Sequence, residues 1–329
     1  MNRAHPYDEL TPDLILDAVE SCGPRCTGTL LALNSYENRV YRVDRDEGPP
    51  VVAKFYRPAR WTEAAIREEH AFARDLQAQE MPLVAPLQCH GDTLHRHGGF
   101  HFALFPWQPG RFPELAQRSD RELLGRYLGR LHRVGSSDQF QHRPRLEVEL
   151  LGTRSVEFLL ASAFLPAELR TPFQSVSELL LAGIARAFAA AGEVRHLRLH
   201  GDCHLGNILW DELRGPFFVD LDDCMTGPAV QDLWMLLSGD RAERESQLDD
   251  VLRGYTSFMT FERGELGLIE ALRGLRLLRY NAWIGGRWDD PAFPRAFPWF
   301  DTQRHWEEQI LTLRQQVAEL DEPPLAWSP

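Results

Sequence analysis

The sequence predicts an α+β fold of two unequal lobes, a small antiparallel β lobe with one helix followed by a larger, mainly helical lobe. Three observations predict it. In the first hundred of the 329 residues, short β-branched and aromatic runs alternate with turn residues. At Pro106, Pro109 and Gly110 the composition breaks, as at a hinge. Beyond that point apolar residues recur at helical spacing. The expected division is 1–105 for the β-rich lobe, 106–110 for the hinge and 111–329 for the helical lobe.

Each element has its own local chemistry. Gly28 to Leu33, Asn38 to Asp44 and Pro50 to Tyr56 read as strands, separated by Asn34-Ser35 and by Glu47-Gly48-Pro49. Thr62 can cap a helix to about Gln79, with Glu63 favourably placed in its first turn. Pro82 and Pro86 stop that helix, and Leu83 to Cys89 and Gly99 to Phe105 suggest two more strands. Ser119 and Glu122 read as a capping box before the helical run Leu123, Leu124, Tyr127, Leu128 and Leu131. Further helices fit Val156–Leu165, Val176–Ala190, Val230–Leu237, Ser246–Met259, Leu266–Ile284 and Gln303–Leu320. An irregular stretch with two strand-like runs covers Leu197 to Gly227, and Pro323 to Pro329 reads as a disordered end.

Composition narrows the function. With 36 Lys+Arg against 48 Asp+Glu the formal net charge is −12, so the chain has no global pull on nucleic acid or an anionic membrane. A polyanionic ligand must then be held by local devices, such as a lysine, a metal ion or backbone N–H groups. Cys22, Cys26, Cys89, Cys203 and Cys224 are odd in number and show no CxxC pair, so they read as small buried hydrophobes. Met1 to Leu10 lacks the apolar core of a secretory signal, and Leu179 to Ala191 is too short to span a bilayer. These features predict a cytoplasmic, soluble monomer with no nucleic-acid or membrane partner.

The densest chemical signal is Leu199-His200-Gly201-Asp202-Cys203-His204-Leu205-Gly206-Asn207, followed by the apolar run Phe217-Phe218-Val219 ending in Asp220-Leu221-Asp222-Asp223. Phosphoryl transfer from a nucleotide needs a carboxylate to accept the acceptor's proton, an amide oxygen for a divalent ion, and a second carboxylate between ion and phosphates. Asp202, Asn207 and Asp220 supply these in chain order, which makes Asp202 and Asp220 the candidate catalytic residues and Asn207 and Asp220 the candidate metal ligands. Asp222 is a further candidate ligand, and Asp223 reads as solvent-facing or structural. The alternative takes Asn207 as a turn residue and the Asp cluster as a solvated loop.

This segment resembles the catalytic loop of protein kinases, with His200-Gly201-Asp202 where they carry His-Arg-Asp, the variant of the aminoglycoside phosphotransferase/choline kinase group. Within that group the chain is similar over nearly its full length to bacterial serine/threonine kinases of the stress response. Asn34 to Tyr41, Val52 to Pro58, Gly227 to Trp234 and Trp288 to Trp299 carry this likeness. It implies a protein-kinase-like bilobal fold, ATP and Mg²⁺ as cofactors, and a protein acceptor bearing Ser or Thr. It also implies that Lys54 pairs with the nucleotide phosphates and that Ser35, in the first turn, contacts ATP. A helical glutamate should pair with Lys54. Glu69 shares a stripe with Ala65, Phe72 and Leu76 and Glu68 does not, so Glu69 is the expected partner. Asp232 resembles a family residue that braces the catalytic loop. No G-x-G-x-x-G run covers the phosphates, a departure from protein kinases.

Other readings remain. His132, His200 and His204 read as packing or hydrogen-bonding residues rather than ligands. Trp283, Trp288, Phe293, Phe297, Trp299 and Phe300 read as irregular packing over the helical lobe, with a wall of the substrate cleft as the alternative. The absence of a clear activation loop leaves a small-molecule kinase of the aminoglycoside, choline or homoserine type as the alternative function. A phosphatase built on Asp220-Leu221-Asp222 lacks the surrounding βαβ series, and a catalytically dead scaffold is disfavoured because every catalytic position is filled.

Overall fold

The structure is a computed structural model describing residues 5–328, so residues 1–4 and 329 of the expected lobes, part of the signal reading and the last residue of the tail lie outside it. Helix α1 (Pro12–Glu20) opens the described chain, capped by the Thr11 side chain with proline in its first turn. Strands β1 (Cys26–Ala32), β2 (Arg39–Arg45) and β3 (Val51–Phe55) come next, then α2 (Glu63–Ala78), β4 (His95–His97) and β5 (Phe100–Pro106). They form one antiparallel sheet in the order β1-β2-β3-β5-β4.

Alternation along β3 divides its side chains between two faces of the sheet. Val51, Ala53 and Phe55 face a core shared with Ile15 and Val19 of α1, whereas Lys54 points to the other face, where α2 lies. The β lobe therefore carries two helices, not the single one expected. The expected strand Leu83–Cys89 is instead an extended segment with isolated bridges, Leu83 to Phe218 and Cys89 to Asp92. Pro82 and Pro86 each remove a ladder donor there, and the short β4 takes the sheet edge.

The helical lobe contains α3 (Arg118–Gly135), a π turn (Glu149–Thr153), α4 (Arg154–Ala161), α5 (Ala167–Ala191), α6 (Arg241–Tyr255), α7 (Ile269–Gly286), α8 (Ala292–Ala296) and α9 (Gln303–Asp321). Between α5 and α6 lie two small two-stranded sheets, β6 (His196–Leu199) with β9 (Met225–Pro228), and β7 (Ile208–Asp211) with β8 (Gly215–Phe218). The sequence suggested two of these four strands. Helices α3 and α6 cross at glycines: a Cβ on Gly125 would overlap the Val251 carbonyl oxygen, and one on Gly254 that of Glu122. A large apolar core, in which Trp306, Tyr255 and Phe173 are buried, holds these helices, each such side chain contributing about 1.5–3 kcal/mol.

Three further expectations change. The Ser119–Glu122 capping box does not form, because α3 starts earlier, at Arg118, and Arg118 takes the Glu122 carboxylate at 2.8 Å. The helix Val230–Leu237 is two 3₁₀ turns, Ala229–Asp232 and Trp234–Leu236; nearly every residue there is buried, so no amphipathic face exists to stabilise an α-helix. The tail is not loose up to residue 328: Leu325 is buried and Arg263 donates to Trp327 O at 2.9 Å. The five cysteines are free thiols, with Cys203 and Cys224 buried and the other three half-buried; Cys22 and Cys89 meet His95 with ligand atoms within 4.8 Å. Among the described residues no helix is long and apolar enough to cross a membrane.

Candidate active site

The site forms where the open face of the sheet meets the β6–β9 region. Lys54 Nζ lies 3.5 Å from Glu69 Oε1, 3.0 Å from Asp220 Oδ1 and 3.2 Å from Asp222 Oδ1. It is the single lysine in the chain, so 36 − 1 = 35 of the cationic side chains are arginines. That singularity is itself a sequence signal, one that motif spacing does not register. A compact ammonium with three donors is kept only at the place where three carboxylates converge. Burial alone would favour loss of its proton, but Asp220, Asp222 and Glu69 hold Lys54 firmly protonated.

Of the two helical glutamates, Glu69 is the one that reaches Lys54, because α2 turns its Ala65–Phe72–Leu76 stripe inward. Burial pushes the Glu69 carboxyl up to about 7, against the pull of Lys54. Glu68 instead accepts the backbone N–H groups of His142 and Arg143, each at 2.8 Å. Asp222 is almost wholly buried and also pairs with Arg60; burial is outweighed by Arg60, Lys54 and Arg143, and its carboxyl falls below the usual range. Asp223 is partly exposed and takes the other Arg60 nitrogen at 2.6 Å.

The catalytic-loop segment is fixed from below. Asp232 is fully buried; its two oxygens accept the N–H groups of His200 (2.7 Å) and Gly201 (2.8 Å), and His132 lies 3.1 Å away. Gly201 is required here, with φ +85° and a would-be Cβ that overlaps the Asp223 carbonyl oxygen. His132 and His200 are buried hydrogen-bonding residues; His204 is also a hydrogen-bonding residue, partly exposed, accepting the Gly206 N–H at 3.0 Å and standing 3.4 Å from Asp202 Oδ2.

Asp202 lies at the mouth of the cleft with Arg276 Nη1 2.6 Å from its Oδ1. Burial would raise its carboxyl, but His204 and Arg276 hold it well below the carboxylate range, so it is ionised at neutral pH. Asn207 Nδ2 donates to Asp202 O at 2.9 Å, which leaves its Oδ1 as a free acceptor, and Val219 N–H donates to Asn207 O at 3.0 Å, bringing the strand before Asp220 alongside. Asp220 has φ +60°, and its half-exposed carboxylate projects into the cleft beside Lys54. Asn207 and Asp220 thus offer oxygen donors, the ligand type preferred by Mg²⁺. Asp222 Oδ1 and Glu69 Oε2 are buried without a hydrogen bond, and their charge is met by Lys54 at 3.2 Å and by Arg143 at 4.0 Å respectively.

The turn after β1 lies beside the site, with Glu37 Oε1 3.7 Å from Arg60 Nε. Ser35 is half-buried and makes no hydrogen bond among the described residues, so its hydroxyl and N–H are available. The turn is held by Glu37, which takes Trp283 Nε1 at 2.6 Å and Arg287 Nε at 2.9 Å, and by Asn38 Oδ1, which accepts Arg57 N–H at 3.1 Å. Tyr36 packs against Phe297, ring centres 5.2 Å apart. The aromatic segment after α7 therefore supports this turn as well as the helical core. Arg60 and Arg276 are not distinguishable in the sequence; nothing in their local pattern sets them apart.

A family model described as phosphotransferase enzyme family matches residues 29–275, which include Ser35, Lys54, Glu69, Asp202, Asn207 and Asp220. The chain belongs to that family. It is 44% identical over 328 residues to stress response kinase A of Escherichia coli strain K12, covering 100% of this chain and 99% of that one. A serine/threonine protein kinase of Salmonella typhimurium strain LT2, named RdoA, is 42% identical over 328 residues, with the same coverage of 100% and 99%. Among solved structures, an amicoumacin kinase in complex with AMP-PNP, Ca²⁺ and its ligand overlays with a TM-score of 0.74 at 18% identity, covering 98% of this chain and 96% of that one. A microcompartment-associated aminopropanol kinase overlays at 0.68 and 17%, covering 93% and 95%. The fold is the bilobal protein-kinase-like fold, and the chain is a phosphotransferase of the kinase type.

Proposed function

We propose that this chain is an ATP- and Mg²⁺-dependent serine/threonine protein kinase that acts in the cytoplasm as a monomer in a bacterial stress response. In this reading residues 1–105 hold the nucleotide, 106–110 form the hinge and 111–329 carry the catalytic loop and acceptor site. The observation that carries it is the convergence of Lys54 on Glu69, Asp220 and Asp222 from two parts of the chain, with Asp202 and Asn207 on the adjoining loop. The relatives' names support the protein acceptor and the stress-response setting.

Lys54, oriented by Glu69, binds the nucleotide phosphates, and Ser35 with the turn's N–H groups covers them. Asn207 and Asp220 would hold Mg²⁺, which when bound neutralises phosphate charge. Asp202 orients the acceptor hydroxyl and accepts its proton as the new O–P bond forms; the bond from the γ-phosphorus to the bridging oxygen breaks, and ADP leaves with that electron pair. Asp232 keeps Asp202 in place through the His200 and Gly201 amides.

Asp202→Asn tests the assignment. Loss of a general base costs about 10²–10⁴-fold, so kcat should fall by that factor while the Kd for ATP stays unchanged. A variant with intact turnover removes Asp202 from the role. One observation favours a small-molecule acceptor instead: between Asp220 and the turn at Ala229 the chain holds only the 3₁₀ turn Leu221–Asp223 and the short β9, with no activation loop of the protein-kinase type. Radiolabel transfer to serine peptides against a panel of small alcohols separates the two.

A further inference from the structure

On the acceptor side of the cleft, one face of α7 carries Arg276, Arg279 and Trp283, with Arg287 at its C-cap, at spacings of three or four residues. The stripe starts at Asp202, through Arg276, and ends at the phosphate turn, through Trp283 and Arg287 on Glu37. Beside it opens a cavity of about 250 Å³ lined by Arg154, Phe158, Arg279, Trp283 and Arg287, with Leu150 at its edge and no carboxylate in its wall.

The charges do not cancel. Glu37 is already shared among Arg57, Arg60 and Arg287, and Glu149 stands 3.7 Å from Arg154. Arg279 makes no ion pair or hydrogen bond among the described residues, although Asp223, Glu37, Arg60 and Arg287 are the charged groups that face it. In a chain of net charge −12, an arginine left unpaired between two others over an aromatic floor is a local reversal of sign. Guanidinium groups bind carboxylates and phosphates through paired N–H donors.

We infer that this cavity receives an acidic side chain of the acceptor peptide, a carboxylate or a phosphate, and so makes the enzyme selective for acidic serine/threonine segments. This rests on the protein-kinase reading above. From Arg276 to Arg287 the helix rises about 16 Å. An extended peptide advances about 3.3 Å per residue. The acidic residue therefore lies within about five positions of the phosphorylated one. An amino-alcohol acceptor, a cation at neutral pH, meets three guanidinium groups at the same place and is repelled.

The test is transfer of radiolabelled phosphate from ATP, with Mg²⁺, to peptides holding one serine or threonine. Glu or phosphoserine, Ala, or Arg is placed at each of the five positions on either side. The wild type should favour the acidic peptides by at least tenfold in kcat/KM, mostly through KM, and Arg279→Glu should abolish or reverse that preference. Peptides phosphorylated without regard to charge, or basic ones preferred, overturn the inference and leave the kinase reading standing. Preference unchanged in both Arg279→Glu and Arg279→Ala also overturns it. If no peptide is labelled while a small alcohol is, the protein-kinase reading fails and the inference fails with it.

Discussion

Arg276 on α7 places its Nη1 2.6 Å from Asp202 Oδ1, so the carboxylate of the His200-Gly201-Asp202 loop is tied to a helix 74 residues further along the chain. Both partners are only partly buried, the arginine 43% and the aspartate 26% exposed, so the pair can open when an acceptor hydroxyl arrives. Arg276 favours the ionised form of Asp202 and leaves its Oδ2 toward His204.

If Asp202 is the base, as proposed, its ionisation governs the acid limb of the pH profile. Against burial, His204 and Arg276 lower its carboxyl, so the ionised form is present above that lowered value and is lost as pH falls through it. Arg276→Gln should move the acid limb of kcat to higher pH while leaving the plateau at alkaline pH within about tenfold. A limb that stays in place shows that Arg276 does not control Asp202.

Lys54→Arg asks why one lysine persists in a chain whose other cations are arginines. Three carboxylates surround Lys54 Nζ within 3.5 Å, a space shaped for an ammonium and too small for a planar guanidinium in the same register. The variant keeps the charge that neutralises Glu69 and Asp222, so it should fold. It should bind ATP at least about tenfold more weakly, roughly 1.4 kcal/mol, by calorimetry. Unchanged affinity argues that position 54 does not touch phosphate. Lys54→Met removes the nearest cation of buried Glu69 and one of the two cations paired with Asp222, and should cost up to about 3–5 kcal/mol of stability.

Glu265 lies in the buried turn before α7 and accepts Val230 N–H at 2.8 Å, while burial pushes its carboxyl up to about 7. A group whose native value is raised adds stability fully present below the unfolded value near 4.5, and that stability is lost as pH rises through about 7. The Tm should therefore fall between about pH 5 and pH 8 more in the wild type than in Glu265→Gln, which keeps the acceptor and cannot ionise. Parallel curves would remove Glu265 from the pH response.

The architecture was largely legible in the sequence because it rests on local chemistry. β-Branched and aromatic runs between turn residues mark β1, β2, β3 and β5, the Thr62 cap marks α2, and apolar periodicity marks α3, α5, α6, α7 and α9. Structure and expectation part where a local rule meets a tertiary demand: α1 adds a helix whose start Thr11 and Pro12 signal, and the apolar run Val230–Leu237, which suggests a helix, forms 3₁₀ turns because it is buried on all sides. Asp202, Asn207 and Asp220 stand close together in the chain, and their residue types at that spacing suggest one chemistry before any fold is known.

The chain's own order determined the β-rich and helical parts of the fold and the choice of Glu69 over Glu68 as the partner of Lys54, because hydrophobic period fixes which side of a helix or strand is buried. Only the tertiary structure decided that Arg276 meets Asp202, that Arg60 and Lys54 share Asp222, and that Glu37 ties the turn after β1 to Trp283. Those partners lie 74, 162, 168 (222 − 54) and 246 residues apart, and a surface arginine or glutamate carries no periodic mark of its partner. Hydrophobic burial is coded residue by residue, whereas charge pairing is coded by the fold that brings the charges together.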